Sequence, residues 1–303
     1  MKPRKMPGDL RPAAAFLLPN IIGFALFTAG PVLVSIYLSF TSWDALRPPH
    51  WIGLGNYERL FGFHATPEGW RADDAEFWRY LGNTFFMLLV LPLNIAGSLA
   101  LALVLNQRLR FQAFYRLVYF LPSILYGVAI FFLWKYMFEP NYGVFNALLE
   151  RAGLPPLRWL EDARMAKPAL IFMMLWLTIG GASMIIYLAA LQTVPEELYE
   201  AARMDGAGWW AQFRVVTWPA LRPATFFIFT MGLIANLQWN FDVAYIMTDG
   251  GPYGSTTTLV FYLYLKAYRF FEMGYASAIA WILFALTLAV TVLARRGAGE
   301  TNL

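Results

Sequence analysis

The apolar residues of this 303-residue chain are gathered into long windows that polar segments separate. A helix needs about 20 predominantly apolar residues to cross a bilayer. Six windows reach that length: 14–40, 81–105, 117–138, 168–192, 223–241 and 273–294. Five of them contain no charged residue, and the third contains only Lys135, whose long side chain reaches the interface from near the end of the window. The pattern predicts an all-α, polytopic membrane protein with six transmembrane helices. The first window is longer than the ~7–15 apolar residues of a signal peptide, so we expect it to be retained as a helix.

Composition excludes several classes of protein. Hydrophobic residues make up 59% of the chain and charged residues 14%, with a mean hydropathy of +0.50. A soluble domain has about 45–50% apolar and ~25% charged residues, so a soluble enzyme or a disordered chain does not fit. Cysteine is absent and His50 and His64 are the two histidines. We therefore expect no disulfide scaffold, no cysteine nucleophile and no bound metal.

Basic residues indicate the orientation in the membrane. The two tails and the second and fourth loops carry 12 basic and 6 acidic residues, against 10 basic and 13 acidic in the other loops. Because loops rich in Lys and Arg remain in the cytoplasm, both termini are predicted to be cytoplasmic. The expected organisation is a tail over 1–13, a single transmembrane domain over 14–294 that includes a cytoplasmic loop at 193–222, and a tail over 295–303.

The loop between the fourth and fifth windows has the signals of a helix–turn–helix element. Thr193 and Glu196 have the spacing of a capping box, and Gly206 is suited to end the first helix in the left-handed conformation. A second short helix is predicted over 209–216 and is expected to stop before Pro219, because proline interrupts the hydrogen bonding of a helix.

Small residues occupy the middle of the first predicted helix. Ala201 and Ala202 would let a partner approach the backbone closely, and Glu200 beside them offers a carboxylate to a partner's arginine. An ordinary amphipathic surface helix, with Leu198 and Met204 resting on lipid headgroups, is the alternative interpretation. Composition does not separate the two.

The spacing in this loop resembles the EAA loop of ABC importer permeases. The family pattern is Glu-Ala-Ala, three residues, Gly, nine residues, then Ile-x-Leu-Pro, and the chain differs from it at Val216 and Trp218. The resemblance assigns ATPase coupling to Glu200, Ala201, Ala202, Asp205, Gly206 and Pro219. Trp218 is bulkier than the family's leucine and is expected to alter packing under the loop.

A second segment resembles the carbohydrate branch of the same family. It reads Gly-Gly-Pro-x-x-Ser-Thr in the loop after the fifth window, and its candidate residues are Gly250, Gly251, Pro252 and Thr256. The stretch 51–61 and the pair Asn83-Thr84 also fit, so the resemblance runs over nearly the whole chain.

The resemblance implies a pore subunit and not an enzyme. It implies a second permease subunit, in a heterodimer, together with two cytoplasmic ATPase subunits and an extracytoplasmic solute-binding protein, in a prokaryotic inner membrane. The chain contains no Gly-x-x-x-x-Gly-Lys-Ser/Thr motif, so ATP and magnesium are expected to bind the partner ATPase and no cofactor to bind this chain directly.

The end of the fifth window carries polar and aromatic residues suited to a sugar. Asn236, Gln238 and Asn240 can donate and accept hydrogen bonds with hydroxyl groups, and Trp239 can stack on a sugar ring. Tyr126 in the third window is a further candidate for the substrate path. The alternative is that these amides bridge neighbouring helices.

Other functions remain open at this stage. An ion-coupled secondary transporter of a small solute usually needs ionisable residues within its spans, and five of the six windows have none. An intramembrane enzyme needs a metal or a paired nucleophile and base within the spans, and no His, Asp or Glu is placed there for this purpose. A permease of glycerol-phosphate-like solutes is a further alternative within the family. We expect a sugar or oligosaccharide as the substrate.

Overall fold

A computed structural model of the chain describes residues 10–67, 69–107, 109–125 and 127–297. Four helices in these ranges are long and apolar enough to cross a membrane, namely Ala15–Ser39, Ala75–Leu105, Trp209–Thr248 and Met273–Arg296. Two bent pairs of helices, Gln112–Ile124 with Val128–Met137 and Ala166–Thr178 with Ala182–Gln192, also pass this test. Counted as one span each, they bring the number to six, which confirms the expected all-α polytopic fold. We number these spans one to six in chain order.

The described residues divide into two compact units. One comprises the chain up to Asp74 together with Leu263–Ile282, and the other comprises Ala75–Tyr262 with the residues from Leu283 onward. In the first unit, span one is built from three consecutive elements. These are helix Leu10–Phe24, the π-helical turn Ala25–Ala29 and helix Gly30–Ser39. Nearly all described side chains of this span are exposed or partly exposed, and Ser39 at its end is buried.

The polar segment after span one contains two short β-hairpins and a helix. Strand Thr41–Ser42 pairs antiparallel with His50–Trp51, and strand Phe63–Thr66 pairs antiparallel with Gly69–Ala72. Helix Gly55–Phe61 lies between the two hairpins in the chain. The side-chain amide of Asn56 is buried and donates to the carbonyls of Ser39 and Thr41, which fixes this helix against the end of span one.

Charged groups of the first unit form one connected network. Arg59 Nη1 pairs with Glu272 Oε2 at 2.9 Å, and Lys266 Nζ approaches the same oxygen at 3.5 Å. The Arg59 guanidinium lies 4.1 Å above the ring of Tyr275, whose hydroxyl donates to Asp74. These contacts join the segments that precede spans two and six.

The second unit contains most of the helices. Their bounds are Ala75–Met87, Val90–Leu105, Gln112–Ile124, Val128–Met137, Val144–Arg151, Ala166–Thr178, Ala182–Gln192, Glu196–Met204, Trp209–Gln212 and Trp218–Asp242. Two further π-helical turns, Phe213–Thr217 and Val243–Thr248, extend the last of these in both directions. Helices Leu259–Tyr264 and Met273–Gly297 are each divided between the two units, and the turn Leu265–Arg269 that lies between them in the chain belongs to the first unit.

Two apolar clusters form the core of the second unit. Within the second unit, we call the side that carries the loop between spans three and four and the segment 249–258 after span five the outer side, and the opposite side the inner side. The outer cluster includes Met87, Phe131, Leu170, Met173 and Met247 and the inner cluster includes Leu99, Tyr187 and Leu221, all almost fully buried except for a partly exposed edge of Leu99. Because lipid tails are as apolar as these side chains, van der Waals packing between the helices holds each cluster together.

Candidate functional site

The loop between spans four and five forms a short helix with an unusual beginning. Helix Glu196–Met204 starts after Pro195, which has an extended conformation at φ −60° and ψ 135°, and no side chain caps it. Thr193 instead donates its hydroxyl to the carbonyl of Ala190 at 2.8 Å, in the end of span four. The predicted capping box is therefore wrong, because Thr193 still belongs to the preceding helical turn.

The other end of this helix is closed by glycine in the predicted conformation. Gly206 has φ +78°, and its N–H donates to the carbonyl of Arg203 at 3.0 Å. The N–H of Ala207 donates to the carbonyl of Ala202 at 2.9 Å. This pair of bonds is a Schellman motif, which satisfies two carbonyls that the helix end would leave unpaired.

The helix presents small residues and carboxylates to its surroundings. Glu200, Ala201, Asp205 and Gly206 are exposed, and Ala202 is partly exposed. An ion pair of 2.8 Å joins Arg203 to Glu196 along the same helix. The surface therefore combines a close approach to the backbone with negative charge, which suits a partner that supplies arginine.

Hydrogen bonds hold this helix against the start of span five. The hydroxyl of Tyr199 lies 3.0 Å from that of Thr217, and Gln212 Nε2 donates to the carbonyl of Ala207 at 2.7 Å. The helix is therefore bonded directly to the first turns of span five.

The sequence predicts that the second helix of the loop stops before Pro219. In the structure, the helix continues past this residue. It continues through the π-helical turn Phe213–Thr217 into helix Trp218–Asp242, with Pro219 at the start of the latter. The N–H of Trp218 donates to the carbonyl of Phe213, five residues back. Because the wider turn spaces the carbonyls further from the proline ring, the helix tolerates Pro219 without a break.

The inner end of span five carries a stack of aromatic rings. Phe213 lies parallel to Trp210 with centroids 5.4 Å apart and to Trp209 at 6.1 Å. Trp218 lies 6.4 Å from Phe213, so the residue that departs from the family pattern packs under the loop. The exposed helix Glu196–Met204 does not include it.

A cavity of about 350 Å³ lies between the middle parts of spans two, three, four and five. Its lining has polar side chains from four spans, namely Asn94, Ser123, Thr178, Ser183 and Asn236. Phe227 and Trp239 supply aromatic surface, and the remaining walls are aliphatic or glycine. The outer and inner apolar clusters bound the cavity at either end, since Met174 belongs to one cluster and Ile228 to the other.

Two amides of the cavity have donors to spare. Asn94 Oδ1 accepts a hydrogen bond of 2.9 Å from Ser98, and Asn236 Oδ1 accepts one of 3.1 Å from Asn240. Within the described residues, neither Asn94 Nδ2 nor Asn236 Nδ2 has a hydrogen-bond partner. These four N–H donors are therefore available to a solute with hydroxyl groups.

The predicted substrate residues have different positions. Asn236 and Trp239 line the cavity, whereas Asn240 is buried behind Asn236 and holds it in place. Gln238 is exposed on another face of span five. Tyr126 lies outside the described residues. Sequence reasoning missed Asn94, although a lone amide inside an apolar window is the signal that identifies it.

Span four breaks beside the cavity. Its two helices meet at 47° across Ile179, Gly180 and Gly181. Gly180 has φ +90°, and a Cβ there would lie 2.6 Å from the carbonyl oxygen of Tyr119. A Cβ on Gly181 would lie 2.8 Å from that of Ser123. Glycine is required here because span three packs directly on the break.

The glycine-rich loop after span five is partly buried and is held by several hydrogen bonds. Gly250 has φ +78°, and the Gly251–Pro252 peptide bond is cis. Thr256 donates its hydroxyl to the carbonyl of Gly251 at 2.9 Å and lies 2.6 Å from the hydroxyl of Thr248. The motif therefore shapes a compact outer loop, whose residues from Ser255 to Thr258 are almost fully buried.

Asn83 fastens this loop to span two. Its Nδ2 donates to the carbonyls of Gly254 and Thr257, each at 2.9 Å, and its Oδ1 accepts from Lys167 Nζ at 3.0 Å. Thr84 accepts the N–H of Leu259 at 2.9 Å. Sequence reasoning did not find Lys167, which directly precedes the predicted fourth window.

The chain matches a family described as the binding-protein-dependent transport system inner membrane component, over residues 94–296. It is 36% identical to the probable ABC transporter permease protein YesP of Bacillus subtilis, over 96% of this chain and 92% of that protein. It is 34% identical to the lactose transport system permease protein LacF of Rhizobium radiobacter, over 92% of this chain and 91% of that protein. The chain therefore belongs to this family of membrane permeases.

Solved structures agree with this fold. A bacterial ABC transporter involved in the import of the acidic polysaccharide alginate has a chain that superposes with a TM-score of 0.78. The two chains are 24% identical, and the match covers 96% of each. The curated relatives also include the sulfoquinovosyl glycerol transport system permease protein SmoG of Agrobacterium fabrum, 35% identical over 94% of this chain and 89% of that protein.

Proposed function

We propose that this chain forms half of the translocation pore of an ABC importer for a sugar or oligosaccharide. The observation that carries the proposal is the exposed helix Glu196–Met204, closed by Gly206 and bonded to span five. A passive channel has no need of an exposed acidic helix that is mechanically joined to a span beside the cavity.

The coupling residues are Glu200, Ala201, Ala202, Asp205 and Gly206, with Pro219 at the start of span five. The alanines admit the surface of a cytoplasmic ATPase, and the carboxylates pair with its basic groups. Because Tyr199 bonds to Thr217, a movement of the ATPase is transmitted to the span that carries Asn236 and Trp239.

The partners are a second permease subunit, two ATPase subunits and an extracytoplasmic solute-binding protein. The ATPase subunits bind ATP and magnesium, so this chain is a pore subunit without hydrolytic chemistry. Both termini lie in the cytoplasm of a prokaryotic cell, with the helix Glu196–Met204 on the same side.

A neutral sugar fits the cavity better than an anionic or ion-coupled solute. Among the described residues that line the cavity, none carries a charge, whereas Asn94 and Asn236 offer amide donors and Trp239 an aromatic face. An ion-coupled carrier or a glycerol-phosphate permease requires ionisable or basic side chains at this place.

Co-purification tests the coupling. The tagged chain is solubilised gently, and its partners are identified by mass spectrometry for wild type, Glu200→Lys and Glu150→Lys. Glu150 is exposed on helix Val144–Arg151 in another loop, so its variant is the matched control for the charge change. We expect the ATPase to co-purify with the wild type and with Glu150→Lys. It should be absent from the preparation of Glu200→Lys.

Other outcomes identify the alternatives. If no ATPase accompanies the wild type, the importer proposal is wrong, and uptake under an ion gradient tests the secondary transporter. If the ATPase accompanies all three proteins, the importer stands and the coupling assignment of Glu200 is wrong. Uptake of neutral disaccharides against glycerol phosphate then decides the class of solute.

A further inference from the structure

A second concave site lies on the second unit, apart from the central cavity. It is a groove of about 370 Å³ between helix Gln112–Ile124 of span three and helix Ala182–Gln192 of span four. Its lining residues are Arg116, Leu117, Phe120, Met184, Ile185, Leu188, Ala189 and Gln192. None of them lines the central cavity, so the groove is a separate site.

The groove is polar at one end and apolar along the rest of its length. Arg116 lies near the beginning of span three, and Gln192 lies at the end of span four. Both positions are on the inner side. Phe120 lies about one helical turn, or ~6 Å, further into the membrane, and Met184 lies about two turns, or ~12 Å, from Gln192. Because the two helices run in opposite directions, Phe120 and Leu188 each lie four residues, or ~6 Å, further into the membrane than Arg116 and Gln192, respectively.

The charged group at the inner end is poorly satisfied by the protein. Arg116 Nη2 makes one long hydrogen bond, 3.5 Å from the carbonyl oxygen of Leu105. Its Nε is buried without a hydrogen-bond partner, and no carboxylate among the described residues lies within ion-pair distance of the guanidinium. A guanidinium has four N–H donors on its two Nη atoms, and the long bond to Leu105 uses one of them, so three of these donors remain for an anion.

The walls determine which anion fits. A water-soluble anion gains nothing from the apolar walls beyond Arg116, and about half of the surface of Leu117 and of Ile185 is exposed. An exposed apolar groove with one cation at the level of the membrane surface matches a molecule with an acidic head and a hydrocarbon chain. The sequence 106–116 contributes three arginines and no acid to the same flank, which favours an anionic occupant.

We propose that this groove binds an anionic phospholipid of the inner leaflet. The phosphate lies against Arg116 with the Gln192 amide beside it, and an acyl chain follows Leu117, Phe120 and Ile185. The assignment to the inner leaflet rests on the orientation given under the proposed function, whereas the binding of an anionic lipid to the groove does not depend on the solute that the pore carries.

Native mass spectrometry of the purified full chain, with whatever subunits accompany it, tests the site. Phosphatidylglycerol and phosphatidylcholine with identical acyl chains are added separately to wild type, Arg116→Gln and Arg110→Gln. Arg110 is exposed in the same flank and lines no part of the groove, so its variant controls for the loss of one positive charge. A fourth protein, Ala189→Phe, fills the groove from an exposed position without a change of charge.

We expect Arg116→Gln to bind phosphatidylglycerol about fivefold more weakly than wild type, since one arginine near a charged membrane surface contributes to this extent. Ala189→Phe should lose binding of both lipids, and Arg110→Gln should bind as wild type does. Equal weakening by Arg110→Gln would show general charge attraction and overturn the site. Displacement of phosphatidylglycerol by millimolar inorganic phosphate would show a phosphate site and not a lipid site.

A second permease subunit is the competing occupant of the groove. If Ala189→Phe abolishes co-purification of another permease and leaves lipid binding unchanged, the groove is a subunit interface and the lipid proposal is wrong. Thermal unfolding of each variant in the same detergent identifies any protein that has lost its fold, and the remaining variants still decide the question.

Discussion

The ammonium of Lys167 donates a hydrogen bond of 3.0 Å to the amide oxygen of Asn83, which joins the outer ends of spans four and two. Both spans run from the outer to the inner side, and the two residues lie about three turns outward of Thr178 and Asn94 in the cavity. The same amide holds two carbonyls of the glycine-rich loop. One side chain thus fixes three segments on the outer side of the central cavity.

Replacement of Asn83 by leucine should destabilise the protein by about 3 kcal/mol, because it leaves two buried carbonyls and one ammonium without partners. Thermal unfolding of the purified complex measures the effect. Asn141→Leu is the matched control, since Asn141 is exposed and bonds only to Glu139. A melting temperature of Asn83→Leu equal to that of this control would show that the three bonds contribute no net stability.

Gly206 and Gly208 provide a matched pair for testing the proposed coupling role of the loop between spans four and five. A Cβ meets open space at both positions, but Gly206 has φ +78° whereas Gly208 has φ −71°. Gly206→Ala should cost about 1–2 kcal/mol of local stability from the left-handed backbone alone, and Gly208→Ala should cost almost nothing. Transport coupled to ATP hydrolysis is the measurement, and we expect a loss with Gly206→Ala alone.

Stronger changes in the same loop should abolish transport. Gly206→Pro cannot adopt a positive φ, and Glu200→Lys reverses the charge at the proposed ATPase contact. Both proteins should still be inserted in the membrane in normal amounts, as protease protection or quantitative blotting of membranes would show. Normal uptake by either variant would refute the coupling role of that residue.

The break in span four should tolerate no side chain at Gly180. Gly180→Ala combines a left-handed backbone with a Cβ at 2.6 Å from the Tyr119 carbonyl, so we expect about 3 kcal/mol or more of destabilisation. Gly153→Ala separates the two causes, because Gly153 has φ +74° and open space around its Cβ position. Similar melting temperatures for the two variants would attribute the whole effect to the backbone and none to the packing of span three.

The cavity amides should affect solute recognition and not assembly. Asn236→Leu removes two N–H donors from the cavity wall, and we expect the KM for uptake of the sugar to rise about tenfold, as the loss of a buried hydrogen bond implies. Gln238→Leu is the control on an exposed face of the same helix. Equal KM values for the two variants would place the sugar elsewhere.

Much of this protein follows from its sequence alone. The six spans come from the length of the apolar windows, since the bilayer fixes the length of any helix that crosses it. The left-handed end at Gly206 comes from local chemistry, because only a residue without a Cβ adopts that backbone at no cost. The prediction from local sequence is wrong at Pro219. The sequence predicts that a helix ends before this residue, but the π-helical turn Phe213–Thr217 lets the helix continue through it.

Tertiary structure alone decided which polar residues meet. Asn236, Gln238 and Asn240 are all side-chain amides, and the sequence does not distinguish their roles. In the structure, Asn236 lines the cavity, Gln238 is exposed on another face, and Asn240 is buried. Lys167, Asn83 and the loop at Gly254 are far apart along the chain, and the packing of helices brings them within hydrogen-bond distance. Apolar windows show no preferred face when almost every residue is hydrophobic, so the faces that form the cavity and the groove depend on how the helices pack against one another.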